Sequence, residues 1–331
     1  MRKIKVCFGA VSVMALLLGC GVRSVPEATH QITEETVTET IATEATVADI
    51  SPEAEALAEA PPPAVAVVLQ PEASGTAEER CEAAVIDYSH IADGYVMAQY
   101  TGQTESRLKV LVQGPTTRYS YNLTPGQWEV FPLSDGNGDY QVGIYENVVD
   151  SKYALVLLGE FSVELTDEFA PFLRPNQYVN YTQATHAVAT GLEITAGLEE
   201  PLEKVAAVYD YVVTNLRYDY EKAQTVKSGY LPDLDLVLTE QKGICFDYAA
   251  LMTAMLRSQE IPCKLVVGYA GETYHAWISV WTEHDGWVDG VIFFDGHVWK
   301  RMDPTFASSG ERSEEIMDFI EHGVYTVKYL Y

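Results

Sequence analysis

Three residues in the C-terminal part of the chain have the side chains that covalent catalysis by a thiol requires: Cys245, His275 and Asp303. In Gly243-Ile244-Cys245-Phe246-Asp247-Tyr248-Ala249, a glycine and then a cysteine open a run of about fifteen residues free of Pro and Gly, ending at Ile261-Pro262. This predicts a helix whose first residue is Cys245. There the unpaired N–H groups and the positive end of the macrodipole favour an anion, so a cysteine so placed can present a nucleophilic thiolate. Such a nucleophile needs a group that serves as base and acid, and that group needs an orienting partner. His275 lies in Tyr274-His275-Ala276-Trp277-Ile278-Ser279-Val280-Trp281. Its alternation puts Tyr274, Ala276, Ile278 and Val280 on one face and His275, Trp277, Ser279 and Trp281 on the other. Asp303 follows Trp299-Lys300-Arg301-Met302, and Pro304 stops the strand. A helix N-terminus beside antiparallel strands can gather all three side chains.

The segments Gly243-Ile244-Cys245-Phe246-Asp247-Tyr248-Ala249, Gly268-Tyr269, His275-Ala276-Trp277 and Met302-Asp303-Pro304-Thr305 resemble the bacterial transglutaminase-like domain family. The resemblance extends upstream through Tyr211-Val212-Val213-Thr214-Asn215-Leu216-Arg217-Tyr218-Asp219, covering roughly residues 200 to 307. It implies a Cys-His-Asp triad of Cys245, His275 and Asp303 on a core related to papain-like proteinases. Cys263 departs from the pattern, standing where a small residue or Thr is more usual. Taken singly, a buried cysteine, a strand histidine held by a carbonyl and an Asp-Pro turn are all ordinary. In this order and with this family pattern they point to catalysis.

The elements that must position these residues are legible around them. Pro201 opens a helix with apolar residues at Leu202, Val205, Tyr209, Val212 and Leu216, spaced by three and four. The helix from Cys245 is apolar on most sides, as a helix enclosed by other elements should be. Lys264–Tyr269, Tyr274–Trp281, Trp287–Phe294 and Val298–Met302 read as four antiparallel strands. Glu314–Glu321 reads as a closing helix ended by Gly323, and Tyr325–Tyr331 as a last strand. Upstream, Tyr95–Tyr100, Arg107–Val112, Thr117–Leu123, Trp128–Leu133, Tyr140–Tyr145 and Tyr153–Leu165 alternate like short strands between turn-like separators. The expected fold class is therefore α+β: a transglutaminase-like, papain-related core with a central helix on an antiparallel sheet, preceded by a small β-sandwich for which an immunoglobulin-like topology is an option. In Ser134-Asp135-Gly136-Asn137-Gly138-Asp139, the acids and Glu146 fall at calcium-loop positions, but Tyr140 sits where the loop needs Gly. Hairpin chemistry explains the same residues, and no metal is assigned.

The N-terminus reads differently. Residues 1–19 carry Arg2, Lys3 and Lys5 before the apolar run Val6–Leu18, which fits a secretory signal and is short for a membrane span. Leu17-Leu18-Gly19-Cys20 resembles the lipobox of bacterial lipoproteins, which implies lipidation of Cys20. Residues 20–80 are rich in Thr, Ala, Glu and Pro and read as a disordered acidic tether. The expected domains are then a sandwich over 81–165 and a catalytic unit over 166–331. The chain has 21 Lys+Arg against 48 Asp+Glu, a formal charge of −27. That balance argues against nucleic acid and against electrostatic adhesion to anionic lipid, so membrane attachment has to be covalent. Of five cysteines, Cys7 leaves with the signal and Cys20 is taken by lipid, leaving Cys81, Cys245 and Cys263. Cys81 and Cys263 could pair, although Cys263 reads better as a small buried apolar residue.

The chemistry these readings favour is attack of Cys245 on a glutamine carboxamide in a protein or peptide, with His275 protonating the departing ammonia and Asp303 orienting the imidazole. The thioester passes to an amine or to water. Trp277, on the His275 face, is expected to shield the site or touch substrate. No cofactor is called for. A cysteine peptidase or amidase on the same fold, and a non-catalytic surface-binding module, are the alternatives.

Overall fold

The computed structural model describes residues 65–284, 286–289, 292–294, 299–301 and 324–331, within one compact unit running from Pro61 to Tyr331. Eight strands form its first part: β1 (Glu78–Arg80), β2 (Ala84–Asp87), β3 (Tyr95–Tyr100), β4 (Leu108–Gln113), β5 (Arg118–Leu123), β6 (Glu129–Pro132), β7 (Gly138–Val149) and β8 (Lys152–Val163). They make two four-stranded sheets, ordered β1-β2-β3-β6 and β5-β4-β7-β8. All of the pairings are antiparallel. Alternation fixes which residues face inward. Leu108, Val110 and Val112 of β4 and Tyr119, Tyr121 and Leu123 of β5 are buried, as are Val96 and Ala98 of β3 on the other sheet.

Two of these strands, β1 and β2, lie upstream of the first expected one, and β1 falls in the stretch assigned to the tether. Parts of residues 66–80 pack against the rest of the unit, while Gln70, Glu72 and residues 74–76, 79 and 80 are exposed. Ala66 is buried, the Val67 N–H donates to the Ser258 carbonyl at 2.8 Å, and the Gly75 N–H donates to Asp87 Oδ2 at 2.6 Å. The physical reason is the apolar run Val65-Ala66-Val67-Val68-Leu69, which can bury surface but is masked in composition by the prolines before it.

The second part holds α1 (His186–Ile194), α2 (Pro201–Asn215), β9 (Arg217–Tyr218), α3 (Tyr220–Thr225), α4 (Leu234–Glu240), β10 (Lys242–Gly243), α5 (Cys245–Arg257), β11 (Cys263–Ala270), β12 (Thr273–Thr282), β13 (Gly286–Asp289), β14 (Ile292–Phe294), β15 (Trp299–Arg301) and β16 (Tyr325–Leu330). The expected strand over Trp287–Phe294 is two, β13 and β14. The main sheet is ordered β13-β12-β11-β16, while β14 and β15 pair separately. The helix expected over Glu314–Glu321 lies outside the described residues.

Helix α5 is the axis of this part, with every residue from Asp247 to Arg257 buried. Helices α1, α2 and α4 lie against it, as do β11 and β12. The approach of α1 is close at Gly191, where a Cβ would sit 3.1 Å from Met255 Cβ. At the far end of α5, Arg257 is 1% exposed. Its guanidinium donates to the carbonyls of Cys263 at 2.8 Å, Arg174 at 2.6 Å and Tyr331 at 2.6 Å. One side chain thus ties helix, β11, the end of β16 and an upstream segment into a frame for the helix start.

Candidate active site

Cys245 is the first residue of α5 and is half-buried. The turn before it is held by backbone. Gly243 in β10 pairs with Tyr218, and its carbonyl accepts the Asp219 N–H at 2.8 Å. A Cβ on Gly243 would lie 2.8 Å from Asp247 Cβ, so this position requires glycine for close approach. Ile244 is the N-cap, in an extended conformation. It has no side-chain acceptor, so only the return half of a capping box exists: Asp247 Oδ2 accepts the Ile244 N–H at 2.8 Å.

Asp247 does more than complement the helix dipole. It is fully buried, accepts Lys222 Nζ at 2.7 Å through Oδ2 and accepts the Tyr230 hydroxyl at 2.5 Å through Oδ1. Lys222 also lies 4.2 Å from the Tyr230 ring centroid. Burial first, then the hydrogen bond to Asp247, push the Tyr230 phenol upward, which keeps it a donor. Sequence reasoning missed Lys222 and Tyr230, because neither belongs to a motif and both act through tertiary contact.

A cavity of about 570 Å³ opens beside Cys245 and is also lined by His275. Its described walls are aromatic: Tyr178, Tyr218, Tyr230, Tyr274, Tyr329, Tyr331 and Phe246. Burial raises Tyr178 to about 12 and raises Tyr274 and Tyr331 as well, so these phenols stay neutral at physiological pH. Ser120 of the sandwich strand β5 also lines the cavity.

His275 is buried on β12, opposite Gly268 of β11. The expected alternation holds in the packing, since Ala276, Ile278 and Val280 join the core cluster while His275 and Trp277 stack with ring centroids 6.1 Å apart and an interplanar angle of 23°. Trp277 is 4% exposed, meets Tyr325 edge-on at 5.3 Å and is not among the described residues that line the cavity. Trp277 thus packs between the imidazole of His275 and Tyr325 of β16. Asp303 and Cys20 lie outside the described residues.

The remaining candidates separate cleanly. Cys81 and Cys263 are free thiols. Cys263 is buried, 3.6 Å from Thr253 Oγ1, and burial pushes its thiol up to about 11. In the turn once matched to a calcium loop, each side chain serves a different part of the sandwich. Asp135 accepts the Thr116 and Thr117 N–H groups, Asn137 the Leu165 N–H, Asp139 the Ser162 hydroxyl and Glu146 those of Tyr100 and Thr104.

Residues 188–290 match the model of the transglutaminase-like superfamily, a stretch that contains Cys245 and His275. Over these residues the chain is similar to that superfamily. The chain is 32% identical over 138 residues to an uncharacterized protein of Mycobacterium leprae, covering 38% of this chain and 46% of the relative. It is 27% identical over 95 residues to protein-glutamine gamma-glutamyltransferase of Pseudomonas aeruginosa, covering 24% and 12%. To mouse kyphoscoliosis peptidase it is 32% identical over 94 residues, covering 25% and 14%. The match thus spans less than half the length of each of these relatives. Among solved structures, red sea bream transglutaminase aligns with a TM-score of 0.27 and 12% identity, over 70% of this chain and 56% of that one. Among the described residues no helix is long and apolar enough to cross a membrane.

Proposed function

We propose that the transglutaminase-like domain is a thiol enzyme that takes an acyl group from a glutamine carboxamide of a protein or peptide. The observation that supports this most directly is the placement of Cys245, half-exposed at the head of a helix buried from Asp247 onward and sharing a cavity with His275. The Cys245 thiolate attacks the carboxamide carbon, and the oxyanion that forms is met by N–H groups at the start of α5, that of Cys245 first. The C–N bond then breaks, the nitrogen taking a proton from the His275 imidazolium and leaving as ammonia. An incoming amine or water gives its proton to His275 as it attacks the thioester carbonyl, the C–S bond breaks, and the thiolate is restored. Asp303 completes this scheme as the group that orients the imidazole.

A second reading, hydrolysis, draws on the charge of the walls. Lys227 is the only Lys, Arg, Asp or Glu among the described lining residues. It opposes entry of a lysine ammonium and leaves water as acceptor. The relatives' names carry both chemistries, a glutamyltransferase and a peptidase.

The full chain, incubated with a glutamine-containing protein and a labelled primary amine beside Cys245→Ala, tests both. Amine incorporation lost in the variant supports acyl transfer to amines. Ammonia release or peptide cleavage without incorporation supports the hydrolase. The same background in wild type and variant across substrates rejects both. We further propose that lipid on Cys20 holds the domain on the extracytoplasmic face of the cell membrane. Loss of fatty-acid labelling and of membrane association in Cys20→Ser checks that part independently.

A further inference from the structure

We propose that residues 226–230 form a specificity wall over Cys245, clamped by the buried carboxylate of Asp247 on one side and by the sandwich strand β5 on the other. This rests on the acyl-transfer reading of the same cavity. All five residues, Val226, Lys227, Ser228, Gly229 and Tyr230, line that cavity. Helix α3 ends at Thr225 and α4 begins at Leu234, so the wall is irregular backbone and its position has to come from contacts outside itself. The first clamp is the Tyr230 hydroxyl on Asp247 Oδ1 at 2.5 Å, with Lys222 on Oδ2 at 2.7 Å. Asp247 lies two residues after Cys245 and also holds the Ile244 N–H, so the wall and the head of the nucleophile's helix share one anchor.

The second clamp is steric. Gly229 has φ +90°, which strains any other residue, and a Cβ there would also have to displace the side-chain amide of Asn122 in β5. The main-chain carbonyl of Asn122 accepts Gln177 Nε2 at 2.7 Å. With Ser120 of β5 in the same cavity, the sandwich becomes part of the substrate site rather than a spacer. Asp247 is a positioning residue in this scheme: it acts through the wall, of which Tyr230 is the anchored end, and does not touch the reacting atoms.

The full chain as wild type, Tyr230→Phe and Gly229→Ala is compared in two assays. The first is alkylation of Cys245, followed by mass spectrometry, with iodoacetamide and with the bulky 5-iodoacetamidofluorescein. The second is turnover of a glutamine peptide. In Tyr230→Phe the iodoacetamide rate should stay within about twofold while the bulky reagent gains about threefold or more, since only the larger probe meets the wall; KM should rise about fivefold with kcat little changed. Gly229→Ala should reproduce this without touching Asp247. If the two reagents keep their wild-type ratio in a folded Tyr230→Phe, the wall is rejected, and so it is if kcat falls while KM stays fixed. Absence of turnover in wild type counts against the acyl-transfer reading alone, because the ratio of the two alkylation rates still reads the wall. Should Gly229→Ala not fold, Tyr230→Phe decides.

Discussion

Lys222 reaches the fully buried carboxylate of Asp247 at 2.7 Å from a position 25 residues earlier in the chain. A buried carboxylate is tolerable only when its lone pairs are used, and here Ile244, Tyr230 and Lys222 use them. Removing the cation alone leaves the anion without its charge partner. Lys222→Met should therefore lower unfolding free energy by about 3 kcal/mol, read from urea denaturation. Adding Asp247→Asn to Lys222→Met should cost less than the sum of the two single changes, and strict additivity in that double-mutant cycle would argue that the pair is not coupled.

Gly268 occupies the strand position opposite His275 for a reason of space. A Cβ there would collide with the Thr326 carbonyl of β16 and lie 2.9 Å from Cη2 of Trp277, and the register between β11 and β16 already shifts at Val267/Gly268. Neither neighbour can move without disturbing the sheet or the ring stacked on His275. Gly268→Ala should cost about 1–3 kcal/mol of stability, change the tryptophan fluorescence of the native state, and slow the reaction of the proposed enzyme. A variant with unchanged stability and spectrum would show that β16 has room to give.

How far the sequence reaches can be seen residue by residue. The start of α5 at Cys245, the Pro201 opening of α2 and the β12 alternation were legible because each is a local pattern: a turn glycine before an apolar run, a proline at the first helical position, a period of two. The partly packed stretch from Ala66 to Arg80 was not, since its apolar residues are few and gain their meaning only against Ser258 and Asp87. Lys222 and Tyr230 were invisible for the same reason. A lysine on a short helix and a tyrosine in a loop look like surface until tertiary structure turns both onto one acid. Alternation puts Trp277 on the His275 face, but its packing against Tyr325 of β16 is not legible, because a period of two tells which residues share a face and not what covers it.

Arg257 offers a test of the frame behind the site. Its three carbonyl partners lie on separate parts of the chain, and a buried acceptor left without its donor costs about 1–3 kcal/mol. Arg257→Met keeps most of the side-chain volume but removes the donor to all three, of which, among the described residues, Tyr331 alone keeps a second one, the Leu265 N–H at 2.9 Å. It should destabilise the fold by about 3 kcal/mol or more, and Arg257→Lys, which cannot fork to three acceptors, should recover only part of that. Thermal unfolding of the three proteins checks the order; a Met variant as stable as wild type would mean that water replaces the guanidinium.

Cys263 predicts how the protein responds to alkali. Its thiol is fully buried at the start of β11, where desolvation disfavours the thiolate and raises the pKa from about 9 to about 11, against the smaller opposing pull of Arg257 and Thr253. An acid whose folded pKa lies above its unfolded one contributes stability that is complete below the unfolded value and is lost as pH climbs toward the folded value. The unfolded chain ionises this thiol from about pH 9, so wild type should lose stability between about pH 9 and 11 through this group. Buried tyrosines such as Tyr178 add their own loss above about pH 10, and a variant separates the two contributions. Cys263→Ala removes the thiol and should flatten the stability curve specifically over pH 9 to 10, whatever its absolute stability, as followed by urea midpoints at half-unit steps. Parallel curves for wild type and variant would mean that the thiol ionises as readily in the folded protein as in the unfolded chain.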